Sequence, residues 1–541
     1  MQADLIITSQ NVFTGHGDTA QALSLCIKDG RILAVAPRGE EDAYAGPDTQ
    51  VQDFGEDFVC AGLHDSHLHA FHSALYSSPL AERFLGENEA DCVARLAPLA
   101  ERRPEGWLLA QGWREYRWNP PILPSKKSLD EAYPNRPVAL YSGDAHTLWL
   151  NTCALNELGI TKDSVAPVGG SYDKDEDGEL TGIVREAAAM ELMPRIVGSF
   201  SFEEIAEAYR GFLRSLAENG ITSICDMSLM AHPGLDFVRE DVYAALEERG
   251  QLTARVHLFP TLLDTMERLE AMQETFQGPL LQAAGFKQFF DGVSSQHTAY
   301  VKEPYTNAKF EGDRGQTTIP FEQMRALVMK AAEAGHAVRI HTIGDQAIHE
   351  ALDIFEEARN LYGAPKHGKN CLEHLENFQP EDIARLAKLD VIAAVQPPHI
   401  TLDPGGPERD LGEERVKYMW PFATFLEDGV TMAFGTDSPV VDIASMPVLY
   451  TAVSRKDAAS RKPEGGWTPQ ERIGVADAIR AYTVGSAQSA GRQDIGLLDE
   501  GMWADVAVFN RNLLSDDVAE NPDLILETKT VATFVGGKQV Y

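Results

Sequence analysis

The sequence predicts an α/β chain. It would hold a TIM-like (β/α)8 barrel, a small composite β-sandwich domain built from both termini, and an insertion after barrel strand 1. Three observations predict this. Short apolar runs follow amphipathic helical stretches repeatedly between residues 202 and 439, the pattern of parallel βα units. One further apolar run, "DFVCAGLHDSHLH" at 57–69, precedes them and brings the strands to eight, the number that closes a barrel. The two ends of the chain carry alternating strands and glycine turns instead. With 541 residues, 44% of them hydrophobic, a large core is within reach.

The N-terminal part, 1–57, contains "ADLIITSQNVFTG" and "SLCIKDGRILAVAP", with Asp29-Gly30 as a hairpin turn. The C-terminal part contains "WADVAVFN" and "TVATFVGGKQVY", turning at Gly536-Gly537. Neither tail is long enough to enclose a strong core alone, so residues 1–57 plus 491–541 are expected to form one domain. Residues 58–490 would then be the barrel, with an inserted lobe at about 75–200. After the first strand come "ITSICDM" (221–227), "ARVHLFPTL" (254–262), "AGFKQFFDG" (284–292) and "AVRIHTIGD" (337–345). Then follow "KNCLEHLEN" (369–377), "DVIAAVQPPH" (390–399) and "VTMAFGTDSP" (430–439). Several of the preceding helices stop at glycine, as a left-handed cap requires. A second interruption, about 293–318, follows strand four. Long loops at the face where parallel strands end usually shape a substrate site.

Charge and composition narrow the classes. A formal charge of −35 disfavours nucleic acid and anionic membrane as partners, because phosphates are repelled. No apolar run of about 18 residues suggests a spanning helix. The opening "MQADLIITSQNVFTG" lacks the basic and apolar regions of a signal peptide. Six cysteines, without metal-type or paired spacing, read as reduced core thiols. A cytoplasmic location is expected.

The chemistry concentrates at strand ends. His64, His67, His69 and His72 lie within nine residues, with Asp65 among them; neutral imidazoles in such number suggest a transition metal. His67 and His69 are two apart and point the same way from an extended chain, which suits two ligands on one metal. Lys287 sits inside an apolar strand, where a bare ammonium is costly. His341, His374 and Asp437 end strands five, six and eight. Five strands thus bring candidate ligands to one end of a barrel. Other motifs lead nowhere. "DKDEDG" (173–178) begins like a calcium loop, but its twelfth position is Val184 rather than a bidentate glutamate, so an acidic hairpin turn is expected. The chain has no G-x-S-x-G elbow for a serine triad.

"HDSHLH", "GFKQFFDG", "RIHTIGD", "CLEHLEN" and "FGTDSP" together resemble the successive metal motifs of the amidohydrolase superfamily, in particular amidohydrolase family 3, the YtcJ-like proteins. "GLLDEGMWADVAVFN" and "RPVALYSGDAHTLWLN" resemble that family's C-terminal and substrate-side segments. The resemblance runs over nearly the whole chain. It implies a metal-dependent hydrolase cleaving a C–N bond (amide, N-acyl or N-formyl) of a small molecule through metal-activated hydroxide. Carried over residue by residue, His67, His69 and Asp437 would bind a buried metal. His341 and His374 would bind a more exposed one, and Lys287 would bridge both as its N6-carboxylated form. Two zinc ions are the first choice for mixed imidazole and oxygen donors, with iron or manganese open. Asp437 would be the catalytic base.

Five further residues are substrate-side candidates. His146 matches the family's substrate-side histidine, while His72 departs from the family pattern and reads as a rim residue. His297 and His399 follow strands four and seven. Trp113, like Trp118 and Trp149, lies in the insertion and either lines a pocket or packs within the lobe. Two alternatives stay open: a mononuclear deaminase or deacylase, and a catalytically silent metal-binding regulatory protein. The sequence leaves the subunit number open, a homo-oligomer included.

Overall fold

The computed structural model describes residues 1–143, 147–167, 170–229 and 236–541. They form two compact units, Met1–Ala70 with Leu213–Tyr541, and Phe71–Phe212.

In the first unit, eight short parallel strands carry the predicted runs. They are β1 (Leu63–Leu68), β2 (Ile221–Met227), β3 (Arg255–Phe259), β4 (Phe286–Phe289), β5 (Val338–Thr342), β6 (Cys371–His374), β7 (Ile392–Val395) and β8 (Met432–Phe434). β3, β2 and β1 pair in that order, with a short strand Leu281–Ala283 at the outer edge of β3. β4 to β8 pair in chain order. Parallel bridges Leu68↔Ser438 and Thr261↔Lys287 link the two arcs at both seams. Every residue of β1, β2, β3 and β5 is buried, as expected of parallel strands covered on one face and packed on the other. Helices Phe321–Ala334 and Asp345–Tyr362 fall between strands as the periodicity requires. Gly335 ends the former in the left-handed conformation (φ 87°).

Strands from both termini meet in one continuous sheet. Its order is Lys538–Gln539, Thr530–Val535, Val506–Phe509, Phe58–Ala61, Leu5–Phe13, Gln21–Lys28 and Arg31–Pro37, with Gln50–Asp53 also on Leu5–Phe13. One face buries a cluster drawn from both ends of the chain, including Ile7, Leu25, Val59, Val506 and Phe534. The run 57–69, expected as one strand, is divided. Phe58–Ala61 belongs to this terminal sheet and β1 starts at Leu63, so the boundary expected between 57 and 58 falls inside the sheet. Gly62 marks the junction, where an added Cβ would lie 2.2 Å from the Thr222 hydroxyl. A buried ion pair ties the sheet to β3: Arg255 donates to Asp505 at 2.6 and 2.9 Å.

The second unit is built on a six-stranded mixed sheet, from Ala81–Arg83 at one edge to Gly170–Lys174 at the other. Its core holds Trp113, Trp118 and Trp149 with Leu108, Leu140 and Ile183. The acidic stretch 173–178 turns between antiparallel strands Gly170–Lys174 and Leu180–Glu186. Its limits, Phe71–Phe212, are wider than the expected 75–200. All six cysteines are free. Among the described residues, no helix is long and apolar enough to cross a membrane.

Candidate metal centre

The C-terminal ends of β1, β4, β5, β6 and β8 bring the predicted ligands together. His67 lies in β1, His69 follows it, and their rings are 5.4 Å apart. Asp437 follows β8. Its Oδ1 lies 3.5 Å from His67 Nε2 and 3.1 Å from His69 Nε2. His374 ends β6, with its ring 4.9 Å from His67 and 4.4 Å from His341. Lys287, in β4, is fully buried, its Nζ 4.6 Å from the Phe289 ring centroid. His399 joins them, stacked on His374 at 6.0 Å with Nε2 3.9 Å from Asp437 Oδ2. Among the described residues, two of the groups whose ligand atoms lie within 4.8 Å of one another are found here, His67–His69–Asp437 and His374–His399–Asp437. The second group includes His399, and His341, the expected partner of His374, lies with its ring 4.4 Å from it.

Backbone geometry helps gather these side chains. His374, Leu375 and Asp437 all have positive φ (70°, 51° and 58°), a conformation that costs energy for residues with a Cβ and recurs at functional sites. It breaks strict strand alternation, so both Glu373 and its neighbour His374 reach partners inside the arcs.

Three of the imidazoles have Nδ1 engaged by an acceptor, whereas His341 meets the Gly292 carbonyl through Nε2 at 3.2 Å. His67 Nδ1 bonds Glu373 Oε2 (2.6 Å), His69 Nδ1 the Met227 carbonyl (2.9 Å), and His374 Nδ1 the Gln396 Oε1 (2.8 Å). Those partners fix the proton on Nδ1 and leave a lone pair on Nε2. The lone pair of His67 Nε2 then faces a carboxylate oxygen. Two acceptors turned toward each other are unfavourable unless a cation lies between them. Among the described residues His67 Nε2, Lys287 Nζ and His399 Nε2 are buried without a hydrogen-bond partner. Nitrogen lone pairs and a carboxylate converging in this way fit a divalent metal.

The electrostatics agree. Burial, then the neighbouring Lys287, holds His67 well below the usual imidazole value, and burial with Lys287 takes His341 down to about 3. Burial and the adjacent imidazoles depress His374 as well. These rings are neutral, as ligands must be. Burial lowers Lys287 to about 8, opposed by Glu373 and Asp437. Burial pushes the Asp437 carboxyl up, but His67, His69 and His399 outweigh it and hold it below the usual carboxylate range.

The other candidates separate. His297 is tied into its own loop: Nδ1 bonds Asp313 at 2.7 Å and the ring stacks on Tyr305 at 4.2 Å. Trp113 is buried in the core of the second unit, its indole N–H donating to the Leu140 carbonyl. That packing accounts for it, and a substrate role is not carried forward. His72 is buried on the helix Ala70–Tyr76 beside Phe71 and Tyr76. His146 lies outside the described residues. Asp65 accepts from the Thr436 hydroxyl (2.7 Å) and the Thr436 N–H (3.1 Å), holding β1 to the end of β8. His64 forms another buried group with Cys225 and His257. There, His257 donates to the Ile224 carbonyl through Nδ1 and accepts from Arg492 through Nε2, so it has no lone pair for a metal.

Sequence reasoning missed Glu373, Arg339 and Gln396, which stand behind the candidate ligands. Arg339 had a usable signal: it lies two residues before His341 in the apolar run "AVRIHT", as anomalous there as Lys287 in its strand.

Residues 50–541 match the sequence profile of the amidohydrolase family. The chain is 29% identical to "Protein LONG AFTER FAR-RED 3" of Arabidopsis thaliana, covering all of this chain and 92% of that one. It is 28% identical to "Putative amidohydrolase YtcJ" of Bacillus subtilis, covering 97% of each. An uncharacterized metal-dependent hydrolase from Pyrococcus horikoshii has a similar fold, with TM-score 0.76 and 24% identity over 94% of this chain and 98% of that one.

Proposed function

The chain belongs to the amidohydrolase family, and from that premise we propose that it is a metal-dependent hydrolase of a C–N bond in a small amide, N-acyl or N-formyl compound. The observation that carries the reading is the apposition of His67 Nε2 and His69 Nε2 to Asp437 Oδ1 at the strand ends. The two strand arcs, bridged at both seams, read as a closed (β/α)8 barrel. The terminal sheet reads as its composite β domain, and Phe71–Phe212 as the inserted lobe.

His67, His69 and Asp437 would hold one divalent ion, and His374 with His341 or His399 a second. Zinc suits this donor set best. Bound there, a divalent metal lowers the pKa of water to about 7 and polarises a substrate carbonyl. Lys287 would join as its carbamate. A buried amine lowered to about 8 exposes its lone pair to carbon dioxide, losing one proton and becoming an oxygen donor. Asp437 would take the proton of the attacking water and pass it to the leaving nitrogen, since its carboxylate stays ionised. His399, 3.9 Å from Asp437, would hold the substrate oxygen or relay that proton.

A one-metal version has an observation of its own: Asp437 is shared by both ligand groups. The test is a screen of N-formyl, N-acyl and cyclic amides for amine release, with and without chelator. Turnover that chelation abolishes and zinc restores supports the reading. Undiminished turnover in the chelated, metal-free protein would refute it.

A further inference from the structure

Under the candidate metal centre lies a charged pair that the proposed chemistry does not use. Arg339 and Glu373 are both wholly buried, on neighbouring strands β5 and β6. Arg339 Nε donates to Glu373 Oε1 at 2.6 Å, one Nη to the Ser66 carbonyl at 2.8 Å, and the other to Ser489 Oγ at 3.2 Å. The guanidinium also lies 4.8 Å from the Phe259 ring centroid. The other oxygen of Glu373 receives His67 Nδ1 at 2.6 Å. Every partner in the row Arg339–Glu373–His67 is fully buried.

Such a pair is expensive to bury and a poor way to gain stability, since apolar residues of similar volume often do as well. Its geometry does accomplish something else. The Ser66 carbonyl and Ser489 hydroxyl fix the guanidinium, and the guanidinium fixes the carboxylate. His69 and His374 are held by neutral acceptors, a carbonyl and an amide oxygen. His67 has a carboxylate instead. We propose that Glu373, clamped by Arg339, is the positioning residue that locks His67 in its Nδ1–H tautomer and presents Nε2 to the metal. An anionic acceptor also makes the opposite nitrogen a stronger donor, so His67 is the ligand on which metal affinity turns. Arg339 supplies the countercharge that keeps this carboxylate from adding negative charge to the centre.

The inference rests on His67 being a ligand, as in the proposed function, but its test needs no substrate. In ¹⁵N-histidine-labelled wild-type protein loaded with zinc, the signal missing from His67→Asn should be an imidazole protonated on Nδ1 and slow to exchange. Glu373→Gln should lose that protected proton. Its zinc affinity, by chelator competition, should fall ~10–100-fold, and that of Ser489→Ala, which removes one of the two groups fixing Arg339 along with a bond to the Ser486 carbonyl, should fall by less. A His67 protonated on Nε2 in zinc-loaded protein would overturn this inference alone, as would wild-type zinc affinity in Glu373→Gln. A wild type with the expected tautomer that binds no zinc would overturn the hydrolase reading and this inference with it. Should Glu373→Gln fail to fold, the wild-type tautomer still decides.

Discussion

Replacing Asp437 by asparagine separates catalysis from metal binding. The residue sits at φ 58° with its carboxylate almost wholly buried. Asparagine is among the few residues that adopt the left-handed conformation readily, so the backbone gains no strain. One oxygen of the same size remains to face His67 and His69, and the metal should largely stay. Proton affinity is what disappears. A positioned general base is worth ~10²–10⁴ in rate, or roughly 3–5 kcal/mol of barrier. Asp437→Asn should therefore lose that much kcat while retaining most of its metal and its thermal transition. The assay pairs elemental analysis with kcat on an amide found in the screen. Near-wild-type kcat with full metal would show that Asp437 is not the base.

Other expectations follow from the same geometry. Lys287→Ala should lose activity, and short carboxylic acids should restore part of it by standing in for the carbamate; a plain amine, by mass spectrometry, in an active two-metal enzyme refutes this. His399→Asn should lower kcat without changing metal content, whereas an unchanged kcat removes His399 from the chemistry and lost metal makes it a ligand. Asp505→Ala strips the buried Arg255 of its counterion and leaves the Gly536 N–H unpaired. It should cost about 3–5 kcal/mol in denaturant unfolding, and a change under 1 kcal/mol would mean that water or a new acceptor replaces the carboxylate.

Much of this was legible in the sequence because parallel strands buried on both faces leave near-continuous apolar runs. Lys287, His341 and Asp437 then stood out as polar residues in or at the ends of such runs. The i, i+2 spacing of His67 and His69 fixed their common direction. Legibility failed where local geometry overrides spacing. Glu373 has the opposite parity to His374, yet both find partners at the centre, with the backbone at positive φ at His374. The run 57–69 looked like one strand because nothing in its composition changes at Gly62, where the chain passes from one sheet to the next. His297 and Trp113 carried the right chemistry for a pocket, but the partners that occupy them, Asp313, Tyr305 and the Leu140 carbonyl, are distant or featureless in sequence.

Anomalous diffraction at the zinc edge, on protein expressed with ample metal, would locate the ions themselves. One peak is expected among His67, His69 and Asp437, and a second beside His374, matched by up to two metals per chain in elemental analysis. No peak between His67 and Asp437, or zinc confined to the His64–Cys225–His257 group, would contradict this placement.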